Sequence, residues 1–236
     1  FRSTGLERRG KYLVFCLCQS PGREEFLLVG HLGMTGRMYL QPAKTLLPTP
    51  AAVILDLGAR HFVYEDTRYF GRLTLDHTAL DGLGPEPMHD AFTVEHLHTT
   101  LRRSAQPVKV KLLDQSLVAG VGNIYASEAL HRAGVSPRRA ARKLTRVQAE
   151  RLHASIREVL SEAIQFGSTI PLDWAGTGKR DGLFYYGQPP ESSDYYTERL
   201  RVYDRAGQPC GQCGARIRRF VQAARSTFYC PACQPR

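Results

Sequence analysis

Hydrophobic and polar positions divide the chain into two regimes. Up to residue 75, apolar residues come in short runs broken by Gly and Pro, the pattern of β-strands. Lys11–Cys18, Phe26–His31, Arg37–Leu40, Ala52–Asp56, His61–Tyr64 and Arg72–Leu75 are six such runs, and Leu57–Arg60 turns a hairpin between the fourth and fifth. This punctuation predicts an antiparallel β-sandwich. Leu83-Gly-Pro-Glu-Pro87 reads as a linker. From residue 91 the period becomes helical in Thr93–His98, Val108–Asp114 and Ile124–Arg132. A longer amphipathic helix is expected over Leu144–Ile164, with Leu152, Ile156, Val159, Leu160 and Ile164 as its apolar positions. Residues 171–200, rich in Gly, Pro, Ser and Tyr, read as a loop.

A third pattern closes the chain. Cys210-Gly-Gln-Cys213 and Cys230-Pro-Ala-Cys233 flank residues 214–229, in which basic and apolar residues alternate as in a β-hairpin. Two disulfides would satisfy the four thiols. The spacing also suits one tetrahedral zinc ion, structural because four thiolates leave no open position. The other two cysteines, Cys16 and Cys18, sit in a strand-like run and read as buried free thiols. This usage fits a reducing compartment. No signal peptide or membrane-length apolar run stands out.

Charge narrows the partner. A formal net charge of +10 and a pI of about 9.5, with Arg in excess of Lys, favour a phosphate-bearing ligand. Gly120-Val-Gly-Asn123 lies between two helical stretches, where glycines would end the first helix and Asn123 would cap the second. Such a turn is either a plain corner or a phosphate site at a helix N-terminus. His31-Leu-Gly-Met34-Thr-Gly36 and Asp66-Thr-Arg68-Tyr-Phe70-Gly71 are each a surface turn by themselves. Together they put Met, Arg and Phe on loop tips, the side chains that wedge into a base stack. Arg8-Arg9-Gly10-Lys11 is a basic cluster at a strand start, either a solvated edge or a phosphate track. Arg225, in the second arm of the cysteine hairpin, suits a bidentate phosphate clamp.

Taken in order, Arg8-Arg-Gly-Lys-Tyr-Leu, His31-Leu-Gly-Met-Thr-Gly, Asp66-Thr-Arg-Tyr-Phe-Gly, Leu83-Gly-Pro-Glu-Pro, Gly120-Val-Gly-Asn-Ile-Tyr-Ala-Ser-Glu, Val202-Tyr-Asp-Arg-Ala-Gly-Gln-Pro-Cys and Arg225-Ser-Thr-Phe-Tyr-Cys form one series. It resembles the formamidopyrimidine-DNA glycosylase (Fpg/Nei) family over nearly the whole chain. The resemblance implies an α+β multidomain protein: a β-sandwich domain over residues 1–88, incomplete at its start; a helical helix–two-turn–helix domain with a lid-like loop over 89–200; and a zinc finger over 201–236. It implies a bacterial, cytoplasmic, monomeric base-excision-repair enzyme. That enzyme would remove oxidised purines from double-stranded DNA and nick the abasic site by β,δ-elimination, with one structural zinc and no membrane.

By the same resemblance, Lys11 and Arg225 assist catalysis at the backbone. Met34, Arg68 and Phe70 fill the void left by a flipped base, and His31 belongs to the same loop. Lys109, Asn123, Tyr125 and Arg225 hold the DNA backbone, and Cys210, Cys213, Cys230 and Cys233 hold the zinc. The sequence departs from the pattern in three places. Nothing matches the family's Pro-Glu-Leu-Pro-Glu opening, whose proline amine is the nucleophile; the chain begins Phe-Arg-Ser-Thr and reads as lacking its start. Thr67 and Tyr69 stand where Pro and Arg are usual. Residues 167–210 run long and Tyr-rich. The rivals are a non-catalytic damaged-DNA binder, the oxidised-pyrimidine branch of the family and an RNA-binding zinc ribbon.

Overall fold

The alternation in the first part of the chain is realised as two antiparallel sheets. A computed structural model describes residues 2–19, 24–34, 36–165 and 200–235. Among these, residues up to Asp81 form one compact unit and those from Gly82 onward a second. The first unit holds β1 (Arg2–Arg9), β2 (Tyr12–Cys18), β3 (Glu25–His31) and β7 (Arg72–Thr74) in one sheet, ordered β1-β2-β3-β7. Its other sheet is β4 (Arg37–Pro42), β6 (Arg60–Glu65) and β5 (Val53–Asp56), with β6 central. Val14 and Val29 from one sheet and Tyr39, Phe62 and Val63 from the other are buried. Phe15 meets Phe62 edge-on at 5.4 Å between ring centroids.

Strand β1 was not foreseen, because its polar Arg-Ser-Thr-Gly-Leu-Glu-Arg-Arg sequence lacks the apolar signal of a half-buried strand. It is an edge strand held by its ladder to β2, with a bulge between Ser3 and Gly5. The basic cluster accordingly shifts: Arg8 and Arg9 end β1 instead of starting a strand, and Gly10-Lys11 forms the turn before Tyr12. Gly10 takes φ +58°, which favours glycine. Cys16 and Cys18 share one face of β2 and are unbridged, Cys18 buried and Cys16 half-buried.

The second unit is built on α1 (Val94–Arg102), α2 (Val108–Leu112), α3 (Asn123–Arg132) and α4 (Arg146–Gln165). Thr93 caps α1, its Oγ1 accepting from the His96 amide at 3.0 Å. Phe92, Leu101, Leu112, Leu130, Leu152 and Ile156 are among the side chains of a continuous core. On α4, Leu152, Ile156 and Val159 face that core and Leu160 borders it. Ile164, expected with them, is 68% exposed. No helix among the described residues is long and apolar enough to cross a membrane.

Two local expectations are corrected here. Helix α2 ends at Leu112, well before Gly120, so glycine does not terminate it; Gly120, at φ +86°, instead turns the chain just ahead of α3. Gly122 is the cap residue of α3 and makes no side-chain cap bond, while Asn123 is the first helical residue. Its side-chain amide instead bonds Lys109, Tyr203 and Ser226. The C-terminal segment adds β8 (Arg218–Gln222) and β9 (Arg225–Tyr229), an antiparallel hairpin over a small cluster of Val202, Ile217 and Phe228.

Candidate nucleic-acid interface

The wedge residues of the first unit sit on two loops that brace one another. Gly36 donates to the Leu32 carbonyl at 2.8 Å, closing the β3–β4 turn. The β6–β7 loop is gathered by buried Asp66, whose carboxylate accepts the Gly71 amide at 2.6 Å and the Arg68 amide at 3.3 Å. Tyr69 is held at φ +54°, an uncommon conformation for a non-glycine residue. The loops touch through glycine. A Cβ on Gly33 would lie 2.6 Å from the Gly71 nitrogen, and one on Gly71 would overlap the Tyr64 hydroxyl at 1.5 Å. With the backbones locked, Met34, Tyr69 and Phe70 are 70, 66 and 65% exposed. Arg68 is exposed beside them. Large apolar side chains held outward by a rigid support signal a partner.

Behind the loops, the Gly33 amide donates to His31 Nδ1 at 3.0 Å, and the Tyr64 hydroxyl donates to the His31 carbonyl at 3.1 Å. Burial, then Lys11, then Arg72 hold the His31 pKa below its ordinary value. Lys11 is therefore near His31, exposed at the tip of the β1–β2 hairpin. Tyr12, His31, Phe70, Arg72 and Asp76 line a cavity of about 420 Å³.

In the second unit the sequence-predicted backbone residues converge. Buried Lys109 on α2 donates through Nζ to Asn123 Oδ1 at 2.6 Å, to the Ser226 carbonyl at 3.0 Å and to Thr227 Oγ1 at 2.8 Å. That uses all three donors of an ammonium, and none of the acceptors is negative. Asn123 Nδ2 donates to the same Ser226 carbonyl at 3.0 Å and to the Tyr203 hydroxyl at 3.4 Å. Burial, and then the Arg225 guanidinium, lower the Lys109 pKa to about 7. Exposed Arg225, the first residue of β9, thus stands near the buried Lys109 amine. Tyr125, two residues beyond Asn123 on α3, packs against the helical core.

Arg225 owes its position to the hairpin. Ala223 and Ala224 form its two-residue turn at φ +48° and +57°, the left-handed pair that matches strand twist. The four cysteine sulfurs lie within 4.8 Å of one another, with Cys210–Cys233 at 3.9 Å and Cys213–Cys230 at 3.4 Å. Zinc–sulfur bonds of about 2.3 Å in a tetrahedron space the sulfurs by about 3.8 Å, so the four are close enough together to hold one ion. In the metal-free cluster the Ala215 amide, followed by the neighbouring cysteines, pulls the Cys213 thiol down to about 7, while burial pushes the Cys230 and Cys233 thiols up.

Three buried side chains join this segment to the helices, and sequence reasoning assigned none of them a role. Glu128 on α3 accepts the Arg201 amide at 2.8 Å, Val202 at 2.9 Å and Tyr203 at 2.8 Å. Gln234 accepts from the Cys230 amide at 2.9 Å and donates to the Val135 carbonyl at 2.8 Å. His131 reaches Cys210. Glu128 and His131, polar residues in a helix whose neighbouring positions face a core, were the available signal.

Comparison with known proteins gives this geometry its family. The formamidopyrimidine-DNA glycosylase N-terminal domain matches residues 2–73, its H2TH domain residues 83–172, and the zinc finger found in FPG and IleRS residues 207–236. The formamidopyrimidine-DNA glycosylase of Thermus thermophilus is 42% identical over 236 residues, covering 97% of this chain and 81% of the relative. That of Desulfitobacterium hafniense is 40% identical, covering 97% and 80%. The chain belongs to the formamidopyrimidine-DNA glycosylase family.

Solved structures agree. MutM (Fpg) from Thermus thermophilus superposes with a TM-score of 0.81 at 42% identity, covering 99% of this chain and 83% of that one. The Lactococcus lactis glycosylase, non-covalently bound to DNA containing an abasic site, gives 0.79 at 30% identity, covering 99% and 82%. A MutM complex with DNA containing carbocyclic 8-oxo-G gives 0.80 at 31%, again covering 99% and 82%.

Proposed function

We propose that this protein is a base-excision-repair DNA glycosylase and abasic-site lyase acting on oxidised purines in double-stranded DNA. The observation that carries the reading is the pair of braced loops that hold Met34 and Phe70 outward. Extruding a base costs a few kcal/mol, and the hole must be filled for the flipped state to persist. Phe70 wedges the stack, Met34 occupies the vacated space and Arg68 bonds the orphaned partner base. Arg225 and the first turn of α3 grip the phosphates, with Lys109 supplying buried positive charge behind them. The relatives' association with abasic and oxidised DNA supports the same reading.

In the chemical step an amine attacks the sugar C1′, displaces the base and leaves an imine, through which the strand is cut by β,δ-elimination. The family pattern assigns that amine to the proline of its Pro-Glu-Leu-Pro-Glu opening, which no segment of this sequence matches. Lys11 and Arg225 assist at the flanking phosphates. Zinc takes no part in the chemistry; it stiffens the hairpin that aims Arg225. The protein works as a monomer in the bacterial cytoplasm, with the hairpin as a third structural module. The long loop predicted over residues 171–200 lies, up to residue 199, outside the described residues. The Arg68–Phe70 loop favours the purine-specific branch.

Borohydride trapping of the full-length protein on duplex carrying 8-oxoguanine tests the chemistry. The expected result is a covalent adduct. Lesion-selective binding without an adduct would favour the non-catalytic alternative; no preference for damaged duplex would overturn the function altogether.

A further inference from the structure

The metal centre is not self-contained. Cys213 has the Ala215 amide as hydrogen-bond donor, and Cys230 Sγ accepts from the Cys233 amide at 3.5 Å, both local to the cysteine turns. Cys210 differs: its sulfur faces the ring of His131, with Nε2 at 3.4 Å, from helix α3. His131 is 2% exposed, and its Nδ1 has no hydrogen-bond partner among the described residues. A neutral imidazole carries one proton on one of its two nitrogens. On Nδ1, that proton would be a buried donor without an acceptor, while Nε2 would direct a lone pair at a thiolate. On Nε2, it meets the Cys210 sulfur, and only an acceptor lone pair goes unused. Unpaired buried donors are the rarer and costlier outcome.

Four thiolates around one zinc ion carry a net charge of −2 in a partly buried site, so each N–H donor that reaches a sulfur offsets charge and strengthens binding. We propose that His131 is an outer-sphere donor of the metal centre, holding the Cys210 thiolate through Nε2–H and making the finger's hold on zinc depend on a side chain of the helical core. Glu128, three residues earlier on α3, binds the backbone at Arg201–Tyr203. One helix face thereby fixes both the entry to the finger and its first metal ligand.

Two measurements on the zinc-loaded protein test this. Zinc transfer to a colorimetric chelator is followed for wild type, His131→Leu and His131→Gln. Leucine keeps bulk without a donor; glutamine restores an N–H at about the Nε2 position. Loss of an outer-sphere partner weakens metal affinity by about 10–100-fold, so the leucine variant should release zinc faster on that scale and the glutamine variant should recover most of the difference. Separately, two-bond 1H–15N correlation of wild-type imidazoles should show the His131 ring protonated at Nε2 and bare at Nδ1, a reading that requires no variant to fold. Release from the leucine variant at the wild-type rate, or a ring bare at Nε2, overturns the proposal.

Discussion

At the scale of single residues, the most consequential side chain is Lys109. Its three acceptors are neutral and Arg225 is its charged neighbour, so its ammonium is the costly form in the folded protein. The proton leaves at about 7 in the fold, against 10.5 for the ordinary lysine. Between those values the unfolded chain binds more protons, so Lys109 makes stability rise as pH increases through that window, and its penalty is fully present below it. A DNA phosphate reverses the preference, because negative charge favours the ammonium. Duplex binding should therefore take up a proton and weaken as pH goes from 6 to 8. Lys109→Met should flatten that dependence, as fluorescence anisotropy at constant ionic strength would show; wild-type affinity independent of pH would contradict this account of the cluster. The sequence pointed to Lys109 as a lysine near the DNA backbone. It gave no hint that the side chain is buried behind Arg225, because burial of a lysine depends on three acceptors distant in sequence.

At the scale of elements, two features make quantitative predictions. The β8–β9 turn places two alanines in the left-handed region, where L residues other than Gly, Asn and Asp are disfavoured by about 1 kcal/mol. Ala224→Gly should relieve that strain and stabilise the finger by about 1 kcal/mol, seen as a higher denaturation midpoint with zinc bound. Destabilisation would mean the turn is not left-handed. Helix α3 gives the opposite case. Glu128→Gln puts an amide donor where a carboxylate oxygen now accepts backbone N–H groups. The loss should be about 2 kcal/mol in urea unfolding, the magnitude of a charged hydrogen bond, and a neutral result would show that these amides find other acceptors. Such elements also mark how far the sequence could be read. Strands β2 to β7 and all four helices announce themselves through period and punctuation. Strand β1 does not, since an edge strand of polar residues is specified by its neighbour. The cysteines and the exposed tips Met34, Arg68 and Phe70 were legible because spacing and residue type carry their chemistry. Asp66, Glu128 and His131 were not: their roles consist of contacts that exist only once the chain is folded.

At the scale of the whole molecule, charge and apolar surface do separate jobs, and salt distinguishes them. With a net charge of +10, binding to a polyanion should fall steeply with ionic strength. Each phosphate contact contributes about 0.9 to the slope of log K against log salt on duplex DNA. Arg225→Ala, which removes a proposed phosphate clamp and leaves the zinc ligands in place, should reduce that slope by about 1 and weaken damaged and undamaged duplex alike. Phe70→Ala should leave the slope unchanged, because a wedge releases no counterions. Its effect should appear instead as slower lesion processing and a smaller preference for damaged over intact duplex, by about 5- to 150-fold for a side chain that replaces a stacking interaction worth about 1–3 kcal/mol. Titrations at four or more salt concentrations, on paired duplexes with and without an abasic site, separate the two effects. If Phe70→Ala changed the slope as much as Arg225→Ala, the apolar tip would be acting through the backbone. If Arg225→Ala spared intact duplex and harmed only damaged duplex, the arginine would be reading the lesion and the proposed division between grip and wedge would fail.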